Sequence, residues 1–104
     1  MEKLIAERHS TGFEAQEVDS RVARYFGMSE VTGIIVSDIY HGGPAEKADL
    51  RVGDIILYVN GDKISSADEF SAILSDAAVG DVLKLKVFRE KKNIEINLKL
   101  GKKP

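Results

Sequence analysis

The sequence of 104 residues contains no cysteine, no tryptophan and only two prolines. Without cysteine the chain can form neither a disulfide nor a thiolate metal site, although this absence does not identify its compartment. The two histidines, His9 and His41, stand alone, because no HExxH-type spacing of His, Asp and Glu surrounds them. The sequence therefore predicts no metal site and no cofactor.

Motifs of nucleophilic catalysis are also missing. No serine lies in a GxSxG or Gly-Asn-Ser-Gly-Gly context, in which serine hydrolases hold their nucleophile. The stretch Gly42-Gly43-Pro44 could approach a phosphate, but it lacks the Lys and the Ser or Thr of a P-loop. We therefore predict a domain that is not itself an enzyme.

Long apolar runs and a strong charge of one sign are absent as well. No run approaches the roughly 20 apolar residues of a membrane span, and the N-terminal MEKLIAERHS has no apolar signal-peptide core. We expect no direct membrane insertion, and a soluble chain that is either mature or excised from a longer one. The net charge of −2 offers no electrostatic attraction to nucleic acid, so we expect no nucleic-acid partner.

What is present favours one domain organised around residues 41–61. With 43% hydrophobic residues in 104, the chain has room for one core. Within the central stretch, Gly42-Gly43-Pro44 predicts a single helical turn over residues 45–48, because proline suits the first position of a helix. The run IILYV at 55–59 predicts a buried central strand, and Asn60-Gly61 predicts a type I′ hairpin turn after it.

The N-terminal half around this stretch contains two further strands and a short helix. Residues 13–18 mix apolar and polar side chains on both faces, which is typical of a thin edge strand with partial burial. Asp19 predicts the start of a helix that ends at Gly27. Residues 33–39 predict a second strongly buried strand.

The C-terminal half predicts a helix and a hairpin. Ser66 and Glu69 have the capping-box spacing, so a second helix is expected over residues 67–78, ended by Val79-Gly80-Asp81. Residues 83–87 and 94–100 alternate between apolar and polar, as in a hairpin with one solvated face, joined by a charged turn at 89–93.

The order of these elements resembles a PDZ domain. The resemblance rests on the strand GIIVSDI, the turn GGPAEKADL, then RVGDIILYVNG, the capped helix, and VGDVLKLKVFRE followed by an alternating strand. It covers residues 10–100 and is closest to the permuted bacterial PDZ domains of HtrA/DegP-type serine proteases. The implied fold class is α+β: a PDZ-like small, partly open β-barrel or sandwich of five to six strands with two helices. The implied boundaries are a linker at 1–9, the domain at 10–101 and a tail at 102–104.

The chain departs from the family pattern at Asp49, where the family usually carries glycine. A glycine there implies a left-handed backbone, which Asp tolerates at a cost of about 1 kcal/mol. Alternatively, Asp49 merely extends the helical turn.

The resemblance also implies a function and a site. PDZ domains bind the last residues of another polypeptide, which adds a strand to a sheet edge while backbone N–H groups receive its carboxylate. By the order of the elements, the implied peptide-binding residues are Thr11, Gly12, Phe13, Glu14, Ala15, Phe70, Ile73 and Leu74. Arg8 lies upstream, where it could support the carboxylate, and Thr11 stands where the family usually has a larger apolar residue.

Each implied site residue also has a purely structural interpretation. Gly12 and Phe13 are interpreted as binding residues, with a turn glycine and a core residue as the alternatives. An apolar stripe such as Phe70, Ile73 and Leu74 usually faces the core, and Arg8 fits a solvated charge. Both interpretations stay open at the level of sequence.

The implied partners are C-terminal peptides or unfolded protein segments with an apolar last residue, together with a parent protease domain. On this hypothesis the domain senses substrates for an HtrA-type serine protease outside the cytoplasm, in the periplasm or cell envelope. The alternative is an assembly or scaffolding domain of a secretion component or another protease, which contacts a partner and no free C-terminus.

Overall fold

The structure, a computed structural model, describes residues 9–102. Within this range the elements, in chain order, are β1 (His9–Ser10), β2 (Phe13–Glu17), α1 (Ser20–Tyr25), β3 (Ile34–Ile39), α2 (Pro44–Lys47), β4 (Ile55–Val59), β5 (Asp62–Lys63), α3 (Ala67–Ser75), β6 (Val82–Arg89), β7 (Lys92–Lys99) and β8 (Gly101–Lys102). None of the helices in this part of the chain is both long and apolar enough to cross a lipid bilayer.

Six of these strands form one antiparallel sheet in the order β2-β3-β4-β6-β7, with β5 paired to β4. The sheet is open, and β2 and β7 are its two edges. A separate two-stranded ladder, which the sequence did not indicate, joins β1 to β8 through the pairs His9↔Lys102 and Ser10↔Gly101. The predicted α+β, partly open PDZ-like sheet with helices is confirmed.

Apolar clusters cover both faces of this sheet. The larger one includes Ile56 of β4, Ala45 of α2 and Phe70 of α3. The smaller one joins Ile55 to Ala23 of α1. Because successive side chains of a strand point to opposite faces, Ile55 and Ile56 enter different clusters. The prediction that residues 55–59 form the central buried strand is confirmed.

The turns and caps that the sequence indicated are present. Asn60 and Gly61 both have positive φ, 53° and 86°, as the hairpin between β4 and β5 requires. The side chain of Asp19 accepts a hydrogen bond from the Val22 N–H at the start of α1. At Asp49, φ is 68°, so the left-handed interpretation is confirmed and the helical one is wrong.

Helix α3 is shorter than predicted. It ends at Ser75 instead of at residue 78, with Asp76 as its C-cap. The N–H groups of Asp76 and Ala77 reach back only three residues, so the last turn tightens and stops. The Ala78 N–H donates to the Asp81 carboxylate at 2.9 Å, which replaces the helical bond.

The hairpin turn between β6 and β7 is also tighter than predicted. Arg89 pairs directly with Lys92, which leaves a turn of two residues in place of residues 89–93. Those two residues, Glu90 and Lys91, have φ of 52° and 63°. Positive φ at both positions matches the twist of the flanking strands, although neither residue is glycine or asparagine.

A buried ion pair fastens the loop before β4 to the end of β6. Asp54 is 2% exposed, and its carboxylate accepts from Arg89 Nε at 2.8 Å and Arg89 Nη2 at 2.6 Å. Hydrogen bonding to Asp54 raises the pKa of Arg89. Arg89 Nη2 also donates to the Asp49 carbonyl at 2.8 Å, so the same guanidinium holds the left-handed residue in place.

Candidate functional site

Along one side, strand β2 presents backbone groups with which no strand in the described residues pairs, although the Phe13 carbonyl accepts a long hydrogen bond from the Thr11 hydroxyl at 3.5 Å. It pairs only with β3. The Tyr40 N–H donates to the Gly12 carbonyl at 2.9 Å and the Val18 N–H to the Gly33 carbonyl at 3.2 Å. Gly12 and Val18 are therefore at hydrogen-bonded positions of the β2–β3 ladder. Because such positions alternate with non-hydrogen-bonded ones along an antiparallel ladder, the N–H and C=O groups of Phe13 and Ala15 point away from β3. In residues 9–102 no strand pairs with that side.

Helix α3 lies alongside this open edge and supplies an apolar wall. The rings of Phe13 and Phe70 are 5.8 Å apart, and both residues are buried. At the other end of β2, the Ala67 N–H donates to the Glu17 carboxylate at 3.0 Å. Side chains of the strand and the helix pack together on the larger cluster. We call the space between them the β2–α3 groove, bounded by Phe13, Ala15, Phe70, Ile73 and Leu74.

The loop of residues 10–13 closes the N-terminal end of the groove. Gly12 has a φ of 80°, and a Cβ there would lie 2.8 Å from Pro44 Cδ and 2.9 Å from Pro44 N. Both the backbone conformation and the close approach to α2 therefore require glycine. No acceptor in the described part of the chain receives the N–H of Thr11 or Gly12. With the Phe13 N–H pointing outwards, three consecutive N–H groups can receive an anion.

The outer face of β2 carries a polar pair that the sequence did not indicate. The Tyr40 hydroxyl donates a hydrogen bond to the Glu14 carboxylate. This bond raises the pKa of Tyr40 to about 12, and desolvation and the negative charges of Glu14 and Asp38 add to the effect. Tyr40 follows the end of β3, and only the pairing of β2 with β3 brings it next to Glu14.

The structure thus brings together seven of the residues implied by the sequence: Thr11, Gly12, Phe13, Ala15, Phe70, Ile73 and Leu74. Glu14 is on the same strand but is exposed on its other face. Arg8 lies outside the described residues. Glu17 also borders the groove, and it could have been found from its period-two spacing with Phe13 and Ala15.

A second depression lies behind the loop of residues 10–13, on the side of α2 and β8. It is open, has a volume of about 1020 Å³ and shares Ser10 and Gly12 with that loop, but it includes no residue of α3. At its rim His41 is an exposed loop residue whose Nδ1 lies 3.5 Å from a Glu46 carboxylate oxygen. We favour the β2–α3 groove as the functional site, since it combines free backbone groups with apolar walls.

Comparison with known proteins relates the chain to one family. A model of the PDZ domain matches residues 10–100. A probable periplasmic serine endoprotease DegP-like from Chlamydia trachomatis serovar D is 35% identical over 100 residues, covering 92% of this chain and 20% of the relative. One from Bartonella henselae is 30% identical over 104 residues, covering 100% and 20%. The chain spans about a fifth of the length of these relatives.

Solved structures with the same fold include the HtrA-type protease AlgW with a decapeptide, with a TM-score of 0.81 and 23% identity over 99% of this chain and 33% of that one. Another is the HtrA3 PDZ domain bound to the phage-derived ligand FGRWV, with a TM-score of 0.76 and 18% identity over 88% of this chain and 84% of that one. The resemblance to HtrA/DegP-type PDZ domains is confirmed. The match over residues 10–100 and the shared architecture establish that the chain belongs to the PDZ domain family.

Proposed function

We propose that this domain binds the C-terminal residues of other polypeptides by strand addition in the β2–α3 groove. The observation that carries the proposal is the unpaired edge of β2 facing the apolar side of α3, with Phe13 and Phe70 in contact between them. Peptide-bound structures of related fold, the AlgW protease with a decapeptide and HtrA3 with FGRWV, support it.

The loop of residues 10–13 sets the orientation of the peptide. A carboxylate held by the N–H groups of Thr11, Gly12 and Phe13 lies at the start of β2, so the peptide must run antiparallel to the strand. Its last residue is then opposite Phe13, and its third-last residue is opposite Ala15. Both share the face of β2 that packs on α3. We therefore expect apolar side chains at these two positions.

The magnitudes favour weak binding. Three or four backbone hydrogen bonds contribute about 0.5–1.5 kcal/mol each, and one buried aliphatic side chain about 1.5–3 kcal/mol. Ordering and association cost at least about 4 kcal/mol. We expect dissociation constants on the order of micromolar or weaker for short peptides.

The proposed role is substrate sensing for an HtrA-type serine protease outside the cytoplasm. Its support is the set of curated relatives named periplasmic serine endoproteases, of which this chain matches about a fifth. In this proposal residues 10–101 form the PDZ domain, residues 1–9 a linker and residues 102–104 a tail. Among the described residues no strand covers the outer edge of β2, which favours free C-termini over a permanently docked partner.

The test is an NMR titration of the labelled domain with a library of C-terminal peptides, each compared with its C-terminal amide. We expect shifts at residues 11–17 and along α3 with the free acid, and none with the amide. If no peptide moves these residues, or if amides bind equally well, the carboxylate-reading groove is wrong and an assembly role is favoured.

A pair of variants separates the groove from the rest of α3. Ile73→Ser removes a groove side chain, whereas Ala72→Ser places the same new residue on the exposed face of the helix. Ile73→Ser should weaken binding about tenfold, equivalent to about 1.4 kcal/mol, while Ala72→Ser leaves it unchanged. Equal effects of the two variants would contradict the proposed site.

A further inference from the structure

The exposed face of β2 and β3 carries two carboxylates in direct register. Glu14 pairs with Asp38, and both residues are exposed. Like charges directly opposite each other across a ladder repel. In residues 9–102 no Lys or Arg forms an ion pair with either of them. Their neighbours are the Tyr40 hydroxyl, which donates to Glu14, and the Ile39 N–H, which donates to Asp38 at 2.9 Å.

These two carboxylates lie where a bound peptide would add its own side chains. The inference rests on the proposed function, in which the last and third-last residues of the peptide are opposite Phe13 and Ala15. The second-last residue is then opposite Glu14, on the exposed face. The backbone groups of Phe13 and Ala15 point outwards, so Glu14 and this residue form a non-hydrogen-bonded pair, in which side chains approach most closely.

We propose that the domain selects C-termini with Lys or Arg at the second-last position, and that Glu14, backed by Asp38, recognises this charge. A cation at that position lies beside Glu14, with Asp38 directly behind Glu14 in the same row, two strands or about 9–10 Å from the peptide. It thereby relieves the repulsion between them. The ligand class is a C-terminus with apolar last and third-last residues and a basic residue between them.

The neighbouring position on the same face supplies an internal control. The fourth-last peptide residue is opposite Gln16, whose partner on β3 is Ile35. Neither side chain carries a charge, and Glu14 lies only diagonally across from this position, so a basic residue gains less there than directly opposite Glu14. Charge selection should therefore be strongest at the second-last position, which distinguishes it from a general attraction of cationic peptides to an acidic chain.

The test uses a free-acid peptide that binds the wild-type domain, with Lys, Gln or Glu at the second-last position and the same exchanges at the fourth-last. An exposed ion pair contributes about 0.2–1 kcal/mol, so Lys should bind up to about fivefold more tightly than Gln, and Glu weaker than Gln by a similar factor. The preference should shrink as salt is raised. At the fourth-last position the exchanges should change affinity less than about twofold.

A charge reversal identifies the residue. Glu14→Lys should invert the order, so that the Glu peptide binds best. Glu95→Lys on β7 makes the same change in net charge on an exposed residue far from the groove and should leave the order intact. Equal affinities for the Lys, Gln and Glu peptides would overturn this inference alone. So would the same inversion in Glu95→Lys, since it would show an effect of net charge. Failure of every free-acid peptide to bind would overturn the proposed function and this inference together.

Discussion

The two edges of the sheet, β2 and β7, differ in every feature that bears on binding. β7 has eight residues, all paired with β6, and its exposed positions include Lys92, Glu95 and Lys99. Charged side chains of this kind keep an edge strand from pairing with other chains. β2 has five residues and a register shift, and an apolar helix lies beside it. In the proposed function, an open edge can bind a peptide where a helix adds apolar walls and a loop adds N–H groups.

The comparison also separates stability from binding. The β6–β7 side holds fully buried residues such as Leu85, Val87 and Leu98 and the Asp54–Arg89 ion pair. The β2 side keeps only Phe13 buried among its five strand residues. Changes on the first side should therefore alter the free energy of unfolding, and changes on the second side should alter peptide binding.

The largest expected effect is on the β6–β7 side. Asp54→Ala removes the buried carboxylate that pairs with Arg89 and leaves the guanidinium only its contacts with Asp49. The side chain of Arg89 is only 17% exposed. Breaking a buried pair in this way should lower the free energy of unfolding by about 3–5 kcal/mol, as measured by urea denaturation.

The double variant Asp54→Leu with Arg89→Met is the control, because it removes both charges together. It should regain more than half of the stability that Asp54→Ala loses. An equally large loss in the double variant would show that the two side chains act through their other hydrogen bonds and not as a pair.

A smaller loss of stability, together with a loss of binding, is expected at the loop of residues 10–13. Gly12→Ala introduces a Cβ within 3.0 Å of Pro44 at a φ of 80°. The backbone strain costs about 1–2 kcal/mol and the overlap about 1–3 kcal/mol more. Peptide binding should be lost in the NMR titration, since the N–H groups of the loop must move.

Gly61→Ala is the matched control for Gly12. Its φ is 86°, but nothing lies within 4 Å of the added Cβ. In this variant the free energy of unfolding should fall only by the cost of backbone strain, about 1–2 kcal/mol, and the peptide affinity should be unchanged. If Gly61→Ala abolished binding, loss of binding would follow from lost stability alone. The effects of the two sheet edges on stability and on binding could then not be separated.

At the start of α3 we expect a substitution to lower the free energy of unfolding by about 1 kcal/mol. Ser66→Ala removes the oxygen that accepts from the Glu69 N–H at 3.2 Å, one half of the capping box. Because this end of the helix faces Glu17 of β2, we also expect a modest loss of peptide affinity. Ser71→Ala, at an exposed position within the helix, should change neither quantity.

The smallest effect is expected at Tyr40, beside the β2 edge. Its pKa in the folded protein, about 12, lies above the ordinary value of 10.0. The hydrogen bond to Glu14 therefore contributes stability fully below pH 10.0, and this contribution is lost as the pH rises towards 12. Ultraviolet absorbance should show one late-titrating tyrosine that disappears in Tyr40→Phe. If the titration step that is lost in Tyr40→Phe lay near pH 10.0 instead, the bond to Glu14 would be absent in solution.

Much of this fold could be predicted from short stretches of sequence. Asn60-Gly61, the Ser66 and Glu69 capping box, and the alternation in β6 and β7 each specify a local geometry, and each is found in the structure. The end of α3 could not be predicted in this way. It depends on Asp81, which lies beyond the helix and whose carboxylate accepts the Ala78 N–H in place of a helical carbonyl.

For the candidate site, sequence order indicated the loop glycine, the edge strand and the facing helix. It did not indicate that Tyr40 reaches Glu14, or that Glu14 lies opposite Asp38, because both depend on the register between two strands. The Asp54–Arg89 pair was missed for the same reason, since its residues are 35 positions apart.

The sequence alone indicated most of the turns and the buried strands, because caps, glycines and alternation act on near neighbours. The order of these elements resembled that of a PDZ domain. Only the tertiary structure decided which side chains border the open edge of β2 and which carboxylates meet beside it. Such features arise from contacts between distant segments, and their register is set by packing of the whole sheet.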